Sequence, residues 1–229
     1  MELPGIEARR VERCGSTNEV LLAEGRPGVL LVARSQTAGR GRRGRRWHSA
    51  PGAGLTFSLS ARLGRLAGLP LAAGIAVARA LRGLGAEAVE LKWPNDLVVR
   101  GAKLGGILVQ TRARLTVIGV GINLQPDAAL ARRLHRRVAF LADLVSVPGE
   151  RVIEAVAREL LESLAAFESR GLEPLQWEAM DAHAGARMRV RLADGRVLTG
   201  LARGVSGEGA LRLETRAGLR EIHSGRILI

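Results

Sequence analysis

QTAGRGRRGRRW, residues 36–47, holds Gly39, Gly41 and Gly44 in the spacing G-x-G-x-x-G. Read as a dinucleotide fingerprint, it would make the fold a doubly wound parallel sheet, with a helix opening at the glycines and an acid about 20 residues further on for a ribose. Neither requirement is met. The glycines run into RRWHSAPGAG, which cannot form a helix, and no acidic residue occurs before Glu87. A Walker A loop is excluded as well, because Gly44 is followed by Arg45 and Arg46 where Lys and Ser or Thr are required. What the loop can do is clamp: glycines let backbone approach a ligand, while Arg40, Arg42, Arg43, Arg45 and Arg46 supply forked donors matched to phosphate or carboxylate oxygens. Trp47 adds a flat apolar face for a ring. Like charges at this density repel one another, so the loop is expected to be mobile when empty and ordered by an anionic ligand. Taken alone, the stretch is also compatible with a solvated basic loop.

Outward from the loop, VLLVARS (29–35) reads as a buried strand leading in and LTFSLSAR (55–62) as an alternating strand leading out. STNEVLLAEG (16–25) carries the capping box Ser16 with Glu19 and a terminal Gly25, a short helix. Pro70 opens an amphipathic helix to about Gly83, and VELKW, LVV, LGGILVQTR and LTVIGVGINL follow as strand-like runs. Helices are expected at about 150–169 and 173–182. Strands and helices that do not alternate strictly imply an α+β fold, a mixed β-sheet flanked by helices. From residue 184 five short alternating segments punctuated by Asp194-Gly195, Gly207-Glu208-Gly209 and Ala217-Gly218 predict a small all-β barrel. The domains are therefore set at 1–183 and 184–229.

The 229 residues carry a net charge of +13, and eleven arginines with no acid lie between Glu24 and Glu87, a local field suited to a nucleotide triphosphate or a nucleic-acid backbone. Only two lysines occur, Lys92 and Lys103, both close to Asn95-Asp96, which suggests positions where a compact ammonium serves better than a guanidinium. Cys14 is the sole cysteine, so an intramolecular disulfide and a cysteine-clustered metal site are excluded. His48, His135, His183 and His223 lack metal-ligand spacing and are read as structural or exposed; metal ligands are not identified. No apolar run approaches a membrane span and no secretory pattern opens the chain, so no membrane association and a cytoplasmic protein are expected.

KWPND (92–96) places Asp96 on a turn after a strand. Seven residues on, Lys103 precedes Gly105-Gly106, which would let a ligand approach the backbone. A lysine there could neutralise charge on a reacting carboxylate and phosphate. An ordinary surface turn fits the spacing equally well.

STN (16–18), the glycine-arginine loop ending in Trp47, KWPND, KLGGIL (103–108) and GVGINL (119–124) together resemble the biotin protein ligases, in family order over about 110 residues. The C-terminal β segment resembles that family's small SH3-like domain. The resemblance implies a fold related to class II aminoacyl-tRNA synthetases and a two-step reaction: biotin and Mg-ATP give biotinyl-5'-AMP and pyrophosphate, then a lysine of a biotin carboxyl carrier protein or domain of a carboxylase attacks the mixed anhydride. The cofactors it implies are ATP and Mg²⁺, with biotin as substrate. It assigns biotin contacts to Ser16, Thr17, Asn18, Gln36, Gly39, Arg40, Gly41, Arg42, Lys103 and Gly106. Arg42, Arg45, Trp47, Lys103 and Asn123 would bind ATP or the adenylate. Lys103, Arg40 and Asp96 would be catalytic, Lys103 bridging the biotin carboxylate and phosphate and Asp96 orienting or deprotonating the carrier lysine. Family members are often dimers, so a homodimer is an expectation. Only fifteen residues precede Ser16, so the DNA-binding domain of repressor members, and with it DNA binding, is not expected.

Two other functions fit parts of the sequence. A lipoate or octanoate ligase of similar fold would lack this arginine-rich loop. A nucleic-acid binder suits the charge, but aromatics make up only 3% and the C-terminal region has no stacking set of Phe or Trp.

Overall fold

The computed structural model describes residues 3–48, 50–127 and 137–228. Its N-terminal part runs β1 (Glu7–Cys14), α1 (Thr17–Glu24), β2 (Val29–Gln36), β3 (Gly54–Ala61), α2 (Leu69–Gly83), β4 (Glu90–Lys92), β5 (Asp96–Val99), β6 (Ala102–Arg112), β7 (Leu115–Asn123), α3 (Gly149–Arg170) and α4 (Pro174–Glu178). The seven strands form one sheet in the order β1-β2-β3-β7-β6-β5-β4, with β1 parallel to β2 and the other pairs antiparallel. The mixed sheet expected from the sequence is thus present.

Period-2 alternation divides the two faces of this sheet. Leu30, Phe57, Leu59, Ile118, Val120 and Ile122 join the large apolar cluster that also contains α2 and α3 side chains. Val29, Leu31 and Val117 form a smaller cluster with Leu21 of α1. Their alternating neighbours on β3, Thr56, Ser58 and Ser60, are buried as well. The α1 side of the sheet is therefore partly paved with hydroxyls and, on β7, with Gly119 and Gly121.

β1 is absent from the sequence reading. EARRVERC has no apolar run, because an edge strand bonds along one side only and five of its eight residues are charged, on a partly exposed surface. Helix α1 lies where expected and ends on Gly25 in the left-handed region (φ 70°), but Ser16 does not cap it through its side chain. Glu19, the other half of the expected capping box, pairs with Arg40 instead.

The C-terminal part comprises β8 (Arg187–Leu192), β9 (Val197–Val205), β10 (Leu211–Thr215), β11 (Gly218–Ile222) and β12 (Gly225–Leu228). All five expected segments are strands, forming a second antiparallel sheet, β11-β10-β9-β8-β12. The expected barrel is corrected to an open sheet: β11 bonds only to β10 and β12 only to β8, and β12 lines the cavity described below. No helix among the described residues is long and apolar enough to cross a membrane. His135 lies outside the described residues.

Candidate active site

The arginine loop is a closed hairpin. Arg40 and Arg46 form an antiparallel bridge, the Gly41 N–H donates to Arg45 O at 2.7 Å and the Trp47 N–H to Gly39 O at 2.9 Å. Its tip, Arg42–Gly44, is a single 3-10 turn, in which Arg43 takes the left-handed conformation (φ 57°, ψ 41°) that costs a non-glycine residue energy. The Arg43 Nη2 donates to Ser224 Oγ of the C-terminal part at 2.8 Å. Arg40 is tied to Glu19. Burial pushes the Arg42 guanidinium down from its ordinary pKa, Arg43 adds to this, and Asp96 opposes it. The loop's return leg lays the Trp47 indole on β7: a Cβ at Gly121 would stand 2.6 Å from Trp47 Cε2.

The floor of the site is polar and neutral. Ser16, Thr17 and Asn18 are each 3% exposed, held at the start of α1 over β3, β6 and β7. Gln36 Oε1 accepts the Thr17 N–H at 2.7 Å. Asn18 Nδ2 donates to Leu108 O (3.1 Å) and Gln110 Oε1 (2.9 Å), and Ser58 Oγ stands 2.6 Å from both Asn18 Oδ1 and Thr17 Oγ1. Gly119 leaves room for the Asn18 amide, whose Cγ would be 3.0 Å from a Cβ there.

The Lys92–Asp96 turn, with a cis Trp93–Pro94 peptide, lines the same site. Asn95 clips it to β6, donating to Ile107 O at 2.8 Å and accepting the Ile107 N–H at 2.9 Å. Asp96 pairs with Gly106 across the β5–β6 ladder and forms an ion pair with Lys103. A Cβ at Gly106 would lie 3.3 Å from Lys103 Nζ and 3.4 Å from Asp96 Oδ1, so glycine leaves this pair its space. Trp93, 2% exposed, donates its indole N–H to Gly209 O of the C-terminal part at 3.0 Å. Behind the turn, His183 is half-buried; burial first, then Lys92, lowers its pKa.

Loop, floor and turn enclose one cavity of about 580 Å³. Ser16, Thr17, Asn18, Gln36, Arg40, Gly41, Arg42, Arg45, Trp47, Asp96, Lys103 and Gly106 all line it. Gly39 and Asn123 are not among its lining residues. Gly39 makes the hairpin's close approach, since a Cβ there would meet Trp47 O at 2.7 Å. The Asn123 Nδ2 donates to Lys103 O (3.1 Å) and Ala139 O (3.3 Å), so any contact with an adenine edge would fall to its Oδ1. Sequence reasoning missed Ser58, which bonds Thr17 and Asn18 without itself lining the cavity, and among the lining residues the two β7 glycines and Gly225, Arg226 and Ile227, which bring the C-terminal sheet into the wall. Among the described residues no group of three His, Cys, Asp or Glu could hold a metal ion.

The chain matches the biotin/lipoate A/B protein ligase family over residues 11–127 and the biotin protein ligase C-terminal domain over residues 184–229. It is 34% identical to a biotin–acetyl-CoA-carboxylase ligase of Paracoccus denitrificans, covering 94% of this chain and 97% of that protein. It is 36% identical to the bifunctional ligase/repressor of Escherichia coli over 87% of this chain, and spans 66% of that relative's length. Among solved structures, the biotin protein ligase of Aquifex aeolicus in complex with biotin and ATP superposes with a TM-score of 0.86 at 28% identity, covering 96% of this chain and 97% of that one.

Proposed function

The chain belongs to the biotin protein ligase family, and on that premise we propose that it activates biotin with ATP and transfers the biotinyl group to a lysine of a biotin carboxyl carrier protein or domain of a carboxylase. The carrying observation is one cavity with a buried, neutral, hydrogen-bonding floor and a cationic wall. The floor suits a cyclic urea. The wall suits a reaction that brings two anions together.

In the first step the biotin carboxylate oxygen attacks the α-phosphorus of ATP, and the bond to the β-phosphate oxygen breaks with release of pyrophosphate. Negative charge concentrates between carboxylate and phosphate, and fixed cations there stabilise the transition state more than the separated reactants. Lys103 carries this role, held in place by Asp96, with Arg40, Arg42 and Arg45 around it. Trp47 offers a ring face to the adenine. In the second step the carrier amine attacks the acyl carbon, the anhydride C–O bond breaks, and AMP leaves. Asp96, the one carboxylate among the cavity-lining residues, orients the amine or takes its proton. Mg²⁺ would enter with the nucleotide phosphates, the usual mode for this ion. A hairpin closed over the adenylate excludes water from a readily hydrolysed anhydride.

The division into a catalytic unit (1–183) and an SH3-like unit (184–229), a cytoplasmic location, a homodimer, and the absence of DNA and membrane partners belong to the same reading. The test is pyrophosphate exchange into ATP with Mg²⁺, run separately with biotin, lipoate and octanoate. Exchange with biotin alone is expected. Exchange with lipoate or octanoate in its place, or with no acid at all, would overturn the assignment.

A further inference from the structure

Ser58 lies outside every motif that points to the reaction, yet its position fixes the hydrogen-bonding polarity of the floor. The side chain is 0% exposed, on the face of β3 that looks toward α1. The hydrogen positions follow from its neighbours. A backbone carbonyl only accepts, so Leu108 O at 3.1 Å requires the Nδ2 of Asn18 on that side. Asn18 therefore turns its Oδ1, an acceptor only, to Ser58 Oγ at 2.6 Å. The one proton of the Ser58 hydroxyl must fill that contact. Ser58 Oγ can then only accept from Thr17 Oγ1, also at 2.6 Å, which draws the Thr17 proton from its longer contact, Gln36 Oε1 at 3.2 Å.

The same logic orients Gln36. Its Oε1 takes the Thr17 backbone N–H at 2.7 Å, so its Nε2 keeps donors to offer. We propose that Ser58 is a positioning residue that locks Thr17 as a hydrogen-bond acceptor beside the Gln36 donor, and so selects a cyclic urea over acids with purely alkyl or dithiolane tails. The inference rests on the biotin reading of the site and deepens it. An N–H and a C=O side by side in the substrate satisfy both groups. A tail lacking them leaves buried polar groups unpaired, the strongest form of discrimination a binding site has.

Exchange kinetics on the full chain test this, with biotin and ATP titrated separately. Ser58→Ala leaves the Thr17 hydroxyl only its longer contact to Gln36 Oε1, so that it is set less firmly, and leaves Asn18 Oδ1 without the Ser58 donor. It is expected to raise the biotin KM about tenfold or more, while kcat at saturating biotin and the ATP KM stay within about twofold. Ser58→Cys, which fills the space with a weak donor, should show the same split and serves if the alanine variant does not fold. In a Thr17→Val background Ser58→Ala should add much less than it does alone, because its effect passes largely through that hydroxyl. An unchanged biotin KM overturns the proposal. So does a parallel fall in kcat and rise in both KM values with a lowered melting temperature, which would make Ser58 a packing residue only. Wild-type protein that fails to exchange with biotin would instead overturn the functional reading itself.

Discussion

The floor and the arginine loop line one cavity and are built on opposite plans. Ser16, Thr17, Asn18 and Ser58 are buried and neutral, and short hydrogen bonds join Thr17, Asn18 and Ser58 to one another or to β6. The loop is largely exposed, carries five arginines, and is held by a few backbone bonds, the Arg40–Glu19 pair and one side-chain bond from its tip. Recognition of a neutral ring needs donors and acceptors fixed before the ligand arrives, because a misoriented buried hydroxyl loses a bond outright. Handling a charge that appears only during reaction needs concentrated positive potential, and that can sit on a segment that moves. Floor variants should therefore change biotin affinity with little dependence on salt. Loop variants should lose their effect as salt screens it.

The largest effect is expected where the two plans meet. Lys103→Met removes the ammonium placed between Asp96 and the loop and should cut pyrophosphate exchange roughly 10²–10³-fold, in kcat rather than biotin KM. A change in KM alone would move Lys103 from the reacting centre to simple binding. Asp96→Asn sharpens this: exchange should survive better than transfer to the carrier, measured by single-turnover biotinylation from preformed adenylate. Equal losses in both half-reactions would remove the proposed role toward the amine, leaving Asp96 as the anchor of Lys103.

Two glycines on β7 separate the plans further. Gly119 and Gly121 point to the same face, one beneath the Asn18 amide and the other beneath the Trp47 indole. Gly119→Ala should disturb the floor and raise the biotin KM roughly tenfold or more, the cost of overpacking a rigid site. Gly121→Ala should displace Trp47 and raise the ATP KM by about fivefold, with a smaller effect on biotin, since the loop can give way. Indistinguishable effects on the two substrates would show that floor and loop do not act separately.

Much of this was legible in the residues. The mixed sheet followed from strands and helices that fail to alternate, and the loop pointed to an anionic ligand because it gathers five arginines without an acid nearby in sequence, although taken alone it also fitted a solvated basic loop. The floor was hidden by the very rule that revealed the strand. LTFSLS alternates, and alternation ordinarily places its polar side in water. Here α1 packs across that side, so Ser58 is as buried as Phe57. Burial of a polar face depends on an element packing across it, which period 2 does not encode. β1 was missed for the complementary reason, a strand with almost no apolar residues that gains its place by pairing with β2. The reach of the C-terminal sheet into the site could not be read either, because the Trp93–Gly209 and Arg43–Ser224 contacts join residues 116 and 181 positions apart.

The smallest effect tests whether the second of those contacts closes the loop. The family resemblance assigns Arg43 no ligand contact, but its left-handed backbone and its bond to Ser224 give it a specific place. Both residues are exposed, and a hydrogen bond of this kind contributes about 1 kcal/mol or less. Ser224→Ala should accordingly leave both KM values unchanged and raise carrier-independent AMP release by only about two- to threefold, as the loop opens more often over bound adenylate. Trypsin supplies the structural readout, since the loop is rich in its cleavage sites: biotin with ATP should protect wild type more than Ser224→Ala. Arg43→Gly separates the two features of the tip. It removes the bond while relieving the backbone, so it should match Ser224→Ala in AMP release but not in stability, where it should be equal to wild type or slightly better. If neither variant changes AMP release or cleavage, the C-terminal sheet walls the cavity without holding the loop, and closure rests on the hairpin's own backbone bonds and the Arg40–Glu19 pair.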